Sequence, residues 1–286
     1  MSAPARHIGL IAGGGDLPVR IASAVRHGHD GLTIVEIDPD SSSGRFADSV
    51  RFPLANFGKI LRVLKKSGVT HVCLAGKIGR PDFATFKPDM RAMQYLPGTV
   101  MAARQGDDAL LRHVIDIFEK EGFQILSPQT LCEALKLPPG PLGMHRLTEA
   151  HRADAERAME VARLIGSQDI GQGAVVAAGL VLAVEAQEGT DAMLARVKTL
   201  PPALRGEPGR PLGVLAKRLK PGQDDRVDMP TIGPTTVAHA AEAGLAGIIA
   251  DAGQAFVMDM DETRRVADQA GLFIVGLPGA EDRPDG

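Results

Sequence analysis

The sequence predicts an α/β fold in two parts, an N-terminal Rossmann-like parallel-sheet domain and a C-terminal α/β domain. Three observations support this. Apolar runs alternate with helical patterns through the first half of the 286 residues, a glycine turn follows the first run, and a Pro/Gly break precedes a second set of alternations. The implied boundaries are 1–134 for the first domain, 135–147 for a linker and 148–286 for the second domain.

Taken in order, residues 7–12 read as a strand, and Gly13-Gly14-Gly15-Asp16-Leu17-Pro18 as the turn into a helix over 17–26. A strand, a glycine turn and a helix start let backbone N–H groups approach a phosphate, with the helix N-terminus favouring its charge. Gly13 and Gly15 match the first two glycines of a dinucleotide fingerprint, but Pro18 stands where the third belongs. Pro18 suits a first helical turn and Asp16 a cap. Strands follow at 32–37, 69–75 and 123–126, with helices at 57–66 and 107–120. Glu36 and Asp38 end the second strand near the position of a ribose-binding acid, as acids do at many strand ends. Parallel sheets bind ligands at the carboxyl ends of their strands, so Ala75-Gly76-Lys77 and Arg80 belong to the same edge as the glycine turn. Lys77 and Arg80 suit phosphate oxygens or plain solvent.

Leu137-Pro-Pro-Gly-Pro-Leu-Gly143 cannot continue a helix or a central strand, which makes it the linker. Beyond it come an alanine-rich helix over 148–165 with Thr148 as a candidate cap, and strands at 173–178 and 180–186. A helix opens near Thr190, a candidate N-cap, and residues 201–211 read as a mobile surface loop. The chain closes with a helix at 234–243, strands at 246–250 and 255–258, a helix at 262–270, a strand at 272–275 and a disordered tail at 281–286. Polar loops lie at strand ends: Gln168-Asp169 with Gly171-Gln172-Gly173, and Glu185 to Asp191, including Glu188, Gly189 and Thr190. They suit phosphate or sugar hydroxyls, or serve only as turns.

Composition narrows the functional classes. A net charge of −3 and the lack of a basic run with interleaved aromatics argue against nucleic-acid binding. Cys73 and Cys132 are the only two cysteines, pointing to reduced thiols, no structural zinc and a cytoplasmic protein. The first 25 residues lack a signal-peptide pattern, and no run reaches the length of a membrane span.

The densest chemistry is at Lys217 to Gly233, where Lys217, Arg218, Lys220 and Arg226 accompany Asp224, Asp225 and Asp228 among two glycines and two prolines. Cations suit phosphate oxygens and clustered carboxylates are hard ligands for Mg²⁺, so the stretch reads as diphosphate chemistry. Asp225 is expected to be a metal ligand or the base that orients water, with Asp224 and Asp228 supporting it; Lys217, Lys220 and Arg226 are expected to clamp phosphate. Asp251, Asp259 and Asp261 form a further acidic group, for the last two of which helix caps are the simpler explanation.

Four segments carry a resemblance: Gly-Leu-Ile-Ala-Gly-Gly-Gly-Asp-Leu-Pro from Gly9, Leu-Ala-Gly-Lys-Ile from Leu74, Glu-Ala-Gln-Glu-Gly-Thr-Asp from Glu185, and Lys-Pro-Gly-Gln-Asp-Asp-Arg-Val-Asp-Met-Pro-Thr-Ile-Gly from Lys220. In order and over nearly the whole chain they resemble the LpxI-type UDP-2,3-diacylglucosamine pyrophosphatases of bacterial lipid A synthesis. The resemblance implies cleavage of UDP-2,3-diacylglucosamine to UMP and 2,3-diacylglucosamine 1-phosphate (lipid X), a divalent cation such as Mg²⁺ or Mn²⁺, a site in the cleft between the two domains, and an essential Asp225. The expected substrate contacts are Ala12, Gly13, Gly14, Gly15, Asp16, Ala75, Gly76, Lys77, Gln168, Asp169, Glu188, Gly189, Thr190, Lys217, Lys220, Gln223 and Arg226, with Asp225 and Asp228 as metal ligands. A diacylated substrate also raises peripheral contact with the inner membrane face. Phe83, Phe86, Met90, Met93 and Tyr95 around Lys87 and Arg91 fit that contact, although core is the commoner use of such spacing. A homodimer is left open. The rival readings are a dinucleotide-dependent oxidoreductase and a non-catalytic nucleotide sensor.

Overall fold

A computed structural model of the chain describes residues 6–28, 30–37, 46–76, 78, 87–207, 209–221 and 229–278. The described residues form two compact units, one running to Glu133 and the other starting at Ala134.

The first unit runs β1 (His7–Ala12), α1 (Leu17–His27), β2 (Gly31–Glu36), β3 (Val50–Arg51), α2 (Phe57–Lys66), β4 (His71–Ala75), α3 (Met90–Gln105), α4 (Asp107–Lys120), β5 (Gln124–Ile125) and α5 (Pro128–Leu131). Its sheet has the order β3-β2-β1-β4-β5 with every pair parallel, the doubly wound arrangement the alternation predicts. The order turns back between β1 and β4, so the loops leaving these two neighbours flank the switch point where such sheets take ligands. Apolar spacing at Phe57, Ile60, Leu61 and Leu64 gives α2 one buried face. That face shares a cluster with Ile11, Val35, Val72, Ile115 and Phe118, and the rings of Phe57 and Phe118 meet edge to face at 5.4 Å. Cys73 and Cys132 are free and buried, and burial pushes the Cys132 thiol up to about 11.

The second unit runs β6 (Gly140–Pro141), α6 (Glu149–Ser167), β7 (Gly173–Ala177), β8 (Leu180–Val184), α7 (Gly189–Lys198), α8 (Pro202–Arg205), β9 (Gly206–Glu207), β10 (Arg210–Pro211), β11 (Val214–Lys217), β12 (Thr231–Ile232), α9 (Pro234–Glu242), β13 (Gly247–Asp251), β14 (Phe256–Val257), α10 (Met260–Ala270) and β15 (Phe273–Leu277). A six-stranded sheet orders them β6-β15-β13-β11-β7-β8, parallel at its centre through β11, β13 and β15 and antiparallel toward both edges. Alternation along each strand divides the core in two. Ala174, Val176, Ala216 and Ile249 face the alanines 155, 158 and 162 of α6, while Val175, Leu215 and Ile248 face Met193, Val237 and Ala267 of α7, α9 and α10. The small alanine side chains let α6 lie close to the sheet.

Several expectations need correction. The stretch 135–147 contributes a core residue, Leu137 at 1% exposure, and an edge strand, β6. Proline is tolerated at a sheet edge, where its missing N–H faces no partner strand. Residues 201–211, read as a mobile loop, hold the short helix α8 and the β9–β10 hairpin, with Pro208 between them outside the described residues. Met90 and Met93, read as core, are 92% and 59% exposed, because the buried face of α3 carries Ala92 and Ala103 instead. Phe83, Phe86 and the tail at 281–286 lie outside the described residues.

Candidate active site

At the first switch point the turn after β1 is built by close backbone approach. The Gly13 N–H donates to the Ala75 carbonyl at 2.8 Å, which ties the two loops together and removes that N–H from the phosphate donors. Gly76 has φ +89°, and a Cβ there would stand 2.5 Å from the Gly14 carbonyl oxygen and 2.7 Å from Pro18 Cγ. Gly76 thus takes over the close-packing duty that the missing third glycine has in a dinucleotide fingerprint, and Pro18 packs against it. Ala12 and Ala75 are buried strand ends, while Gly15 and Asp16 are exposed at the start of α1. Asp16 stands at the N-cap position without a side-chain cap bond. Glu36, at the ribose-acid position, is 2% exposed and accepts from Ser49 and from Arg51. Asp38, Lys77 and Arg80 lie outside the described residues.

The carboxyl edge of the second sheet is made of side chains. Lys217, the last residue of β11, is 4% exposed and donates to Thr190 Oγ1 at 2.8 Å and to the Thr231 carbonyl at 2.9 Å. Thr190 Oγ1 in turn donates to Glu185 Oε1 at 3.1 Å. Glu185 is 6% exposed, and its Oε2 has no partner among the described residues, a state that costs roughly 1–3 kcal/mol. Gly173 makes room for that carboxylate, and Gly171 for the Glu185 backbone: a Cβ at either position would overlap Glu185. Gln172 between them also holds a buried side-chain oxygen without a partner among the described residues. Two ion pairs complete the edge, Arg218 Nε to Asp251 Oδ2 at 3.0 Å and Lys220 Nζ to Asp169 Oδ1 at 2.7 Å.

Thr190 is therefore no helix cap. Glu188 holds the N-cap position of α7, without a side-chain cap bond, and pairs with Arg196 at 2.6 Å. A bond from its own backbone N–H, then the Arg196 guanidinium, hold the Glu188 carboxyl below its usual range. Gln168 closes α6 and is exposed. Asp259 stands at the N-cap position of α10 without a side-chain cap bond, and Asp261 pairs with Arg264 at 2.8 Å. Gln223, Asp224, Asp225, Arg226 and Asp228 lie outside the described residues. Among the described residues no group of three or more His, Cys, Asp or Glu side chains is arranged to hold a metal ion. Sequence reasoning placed Glu185 in a polar loop but gave it no role of its own, because an acid directly after an apolar strand reads as an ordinary strand end; the room left by Gly171 and Gly173 and the bond from the half-buried Thr190 set it apart.

A backbone-built turn at a Rossmann-order switch point, and in the other unit a sheet edge of buried charge, define the class: a two-domain α/β protein with chemistry-bearing residues at the carboxyl edge of each sheet. The chain belongs to the LpxI family. Residues 7–135 match the LpxI N-terminal domain and residues 138–275 the LpxI C-terminal domain. It is 49% identical over 283 residues to the UDP-2,3-diacylglucosamine pyrophosphatase LpxI of Caulobacter vibrioides, covering 98% of this chain and all of that protein. Among solved structures, UDP-glucose 4-epimerase of Thermus thermophilus in complex with NAD matches at TM-score 0.30 and 14% identity, over 96% of this chain and 86% of that one. L-threonine dehydrogenase from Phytophthora infestans matches at TM-score 0.26 and 11% identity, over 48% and 39%. At those scores neither likeness bears on function. Family membership displaces the oxidoreductase and sensor readings, and Glu36 is already engaged by Ser49 and Arg51.

Proposed function

We propose that this chain hydrolyses the diphosphate of UDP-2,3-diacylglucosamine, releasing UMP and 2,3-diacylglucosamine 1-phosphate, with water as the attacking group. The observation that carries the reading is the end-to-end 49% identity to a protein of that name. A diphosphate resists water because its anionic oxygens repel a nucleophile, so a catalyst neutralises charge and places water in line. The turn after β1 can present backbone N–H groups beyond Gly13 to phosphate oxygens. Asp225 acts as the base that orients water or as a metal ligand, with Asp224 and Asp228 beside it in sequence, and Arg226 is a clamp for phosphate.

Hard carboxylate donors fit Mg²⁺ or Mn²⁺, and Asp225 and Asp228 would hold it. When bound, such an ion neutralises the diphosphate charge. The acyl chains of the substrate bring the enzyme to the inner membrane face, and the exposed Met90, Met93 and Met101 of α3 supply apolar surface for that contact. Among the described residues no helix is long and apolar enough to cross a membrane.

The test is a turnover assay on purified protein. UMP appears from UDP-2,3-diacylglucosamine with Mg²⁺ present, and a chelator stops it. Undiminished release in chelator would remove the metal from the account; absence of UMP under every divalent cation would remove the reaction.

A further inference from the structure

Lys217 closes β11 and Thr231 opens β12, and the sequence between them is the acidic segment that carries Asp224, Asp225 and Asp228. The Lys217 ammonium donates to the Thr231 carbonyl at 2.9 Å. One buried side chain therefore ties the residue before the segment to the residue after it. An ammonium on a four-carbon stem does not select one position unaided. Here Thr190 Oγ1 accepts from it at 2.8 Å, and the same hydroxyl donates to Glu185 Oε1 at 3.1 Å. With its proton committed to Glu185, the hydroxyl turns a lone pair toward Lys217.

Stability alone does not account for Glu185. Its second oxygen is buried and has no partner among the described residues, and two glycines make way for the residue. A carboxylate kept at such a cost belongs to a site that needs its charge. Lys217, whose pattern in the sequence suggests a phosphate clamp, instead bonds to Thr190 and Thr231 inside the protein.

We propose that Glu185 is a positioning residue for the hydrolytic step: through Thr190 it fixes Lys217, and Lys217 holds together the two ends of the segment bearing Asp225. Glu185 acts on that segment and not on the substrate. The reaction it serves is the one proposed above, and on that reading the catalytic part of the inference rests; the relay itself is a property of the second unit.

The test uses the full chain with Glu185→Ala, Thr190→Val and Thr190→Ser. Nitrogen-15 NMR of lysine-labelled protein reads the Lys217 ammonium, whose protons exchange slowly in wild type. Glu185→Ala and Thr190→Val lose or shift this signal, and Thr190→Ser keeps it. In UMP release, the two breaking variants lower kcat by about tenfold or more while KM stays within about threefold. The double variant is no slower than the poorer single one, because both break the same chain of bonds. An unchanged Lys217 signal in both breaking variants overturns the proposal, as does an effect confined to KM or an equal loss in Thr190→Ser. Should Glu185→Ala fail to fold, Thr190→Val, which keeps the side-chain shape, decides the matter. A wild-type protein that releases no UMP overturns the hydrolase reading, and the Lys217 signal then judges the relay alone.

Discussion

The carboxyl edges of the two sheets are built by opposite means. In the first unit the edge is backbone against backbone: Gly13 N–H on the Ala75 carbonyl, and Gly76 against Gly14 and Pro18. In the second unit it is side chain against side chain, with Lys217, Thr190 and Glu185 in one bonded chain and Arg218–Asp251 and Lys220–Asp169 as ion pairs. Glycines appear at both edges for different reasons. Gly76 is required by its positive φ and a carbonyl that cannot move alone, whereas Gly173 makes room for the end of one carboxylate. The first edge suits a shape set once by folding; the second can be retuned by a single side chain.

That contrast can be broken at two positions. Gly76→Ala places a side chain in the left-handed region and against the Gly14 carbonyl, so it is expected to cost about 3 kcal/mol in denaturant unfolding. A variant as stable as wild type would mean that backbone packing does not set the first edge. Gly173→Ala displaces only the Glu185 carboxylate and is expected to cost about 1 kcal/mol, yet to lower kcat for UMP release in the manner of Glu185→Ala. A stability loss matching that of Gly76→Ala would show the second edge to be as rigid as the first.

Much of the architecture was legible in the sequence. Residues 57–66 and 107–120 coincide with α2 and α4 because one apolar face repeats at helical spacing and Asp107 and Asp108 open the second. The β1 turn was legible because glycines follow an apolar run. The edge strand β6, the β9–β10 pair and β12, the partner of β14, were not, since strands this short and without an apolar run of their own exist only through their partners. Met90 and Met93 show a second limit: spacing marks a face but not whether anything covers it. The partners of Lys217 show a third, because Thr190 and Thr231 stand 27 and 14 positions away in sequence. A cation at a strand end reads as a ligand contact until the fold supplies its neighbours.

A carboxylate in the segment whose ends Lys217 joins is central to the proposed hydrolysis. The most direct measurement is UMP release from UDP-2,3-diacylglucosamine with Mg²⁺ present, by wild type and by Asp225→Ala at matched nucleotide binding. A loss in kcat of about 10²- to 10⁴-fold, with affinity for the uridine nucleotide retained, is the predicted result. Turnover within a few-fold of wild type in Asp225→Ala would contradict it.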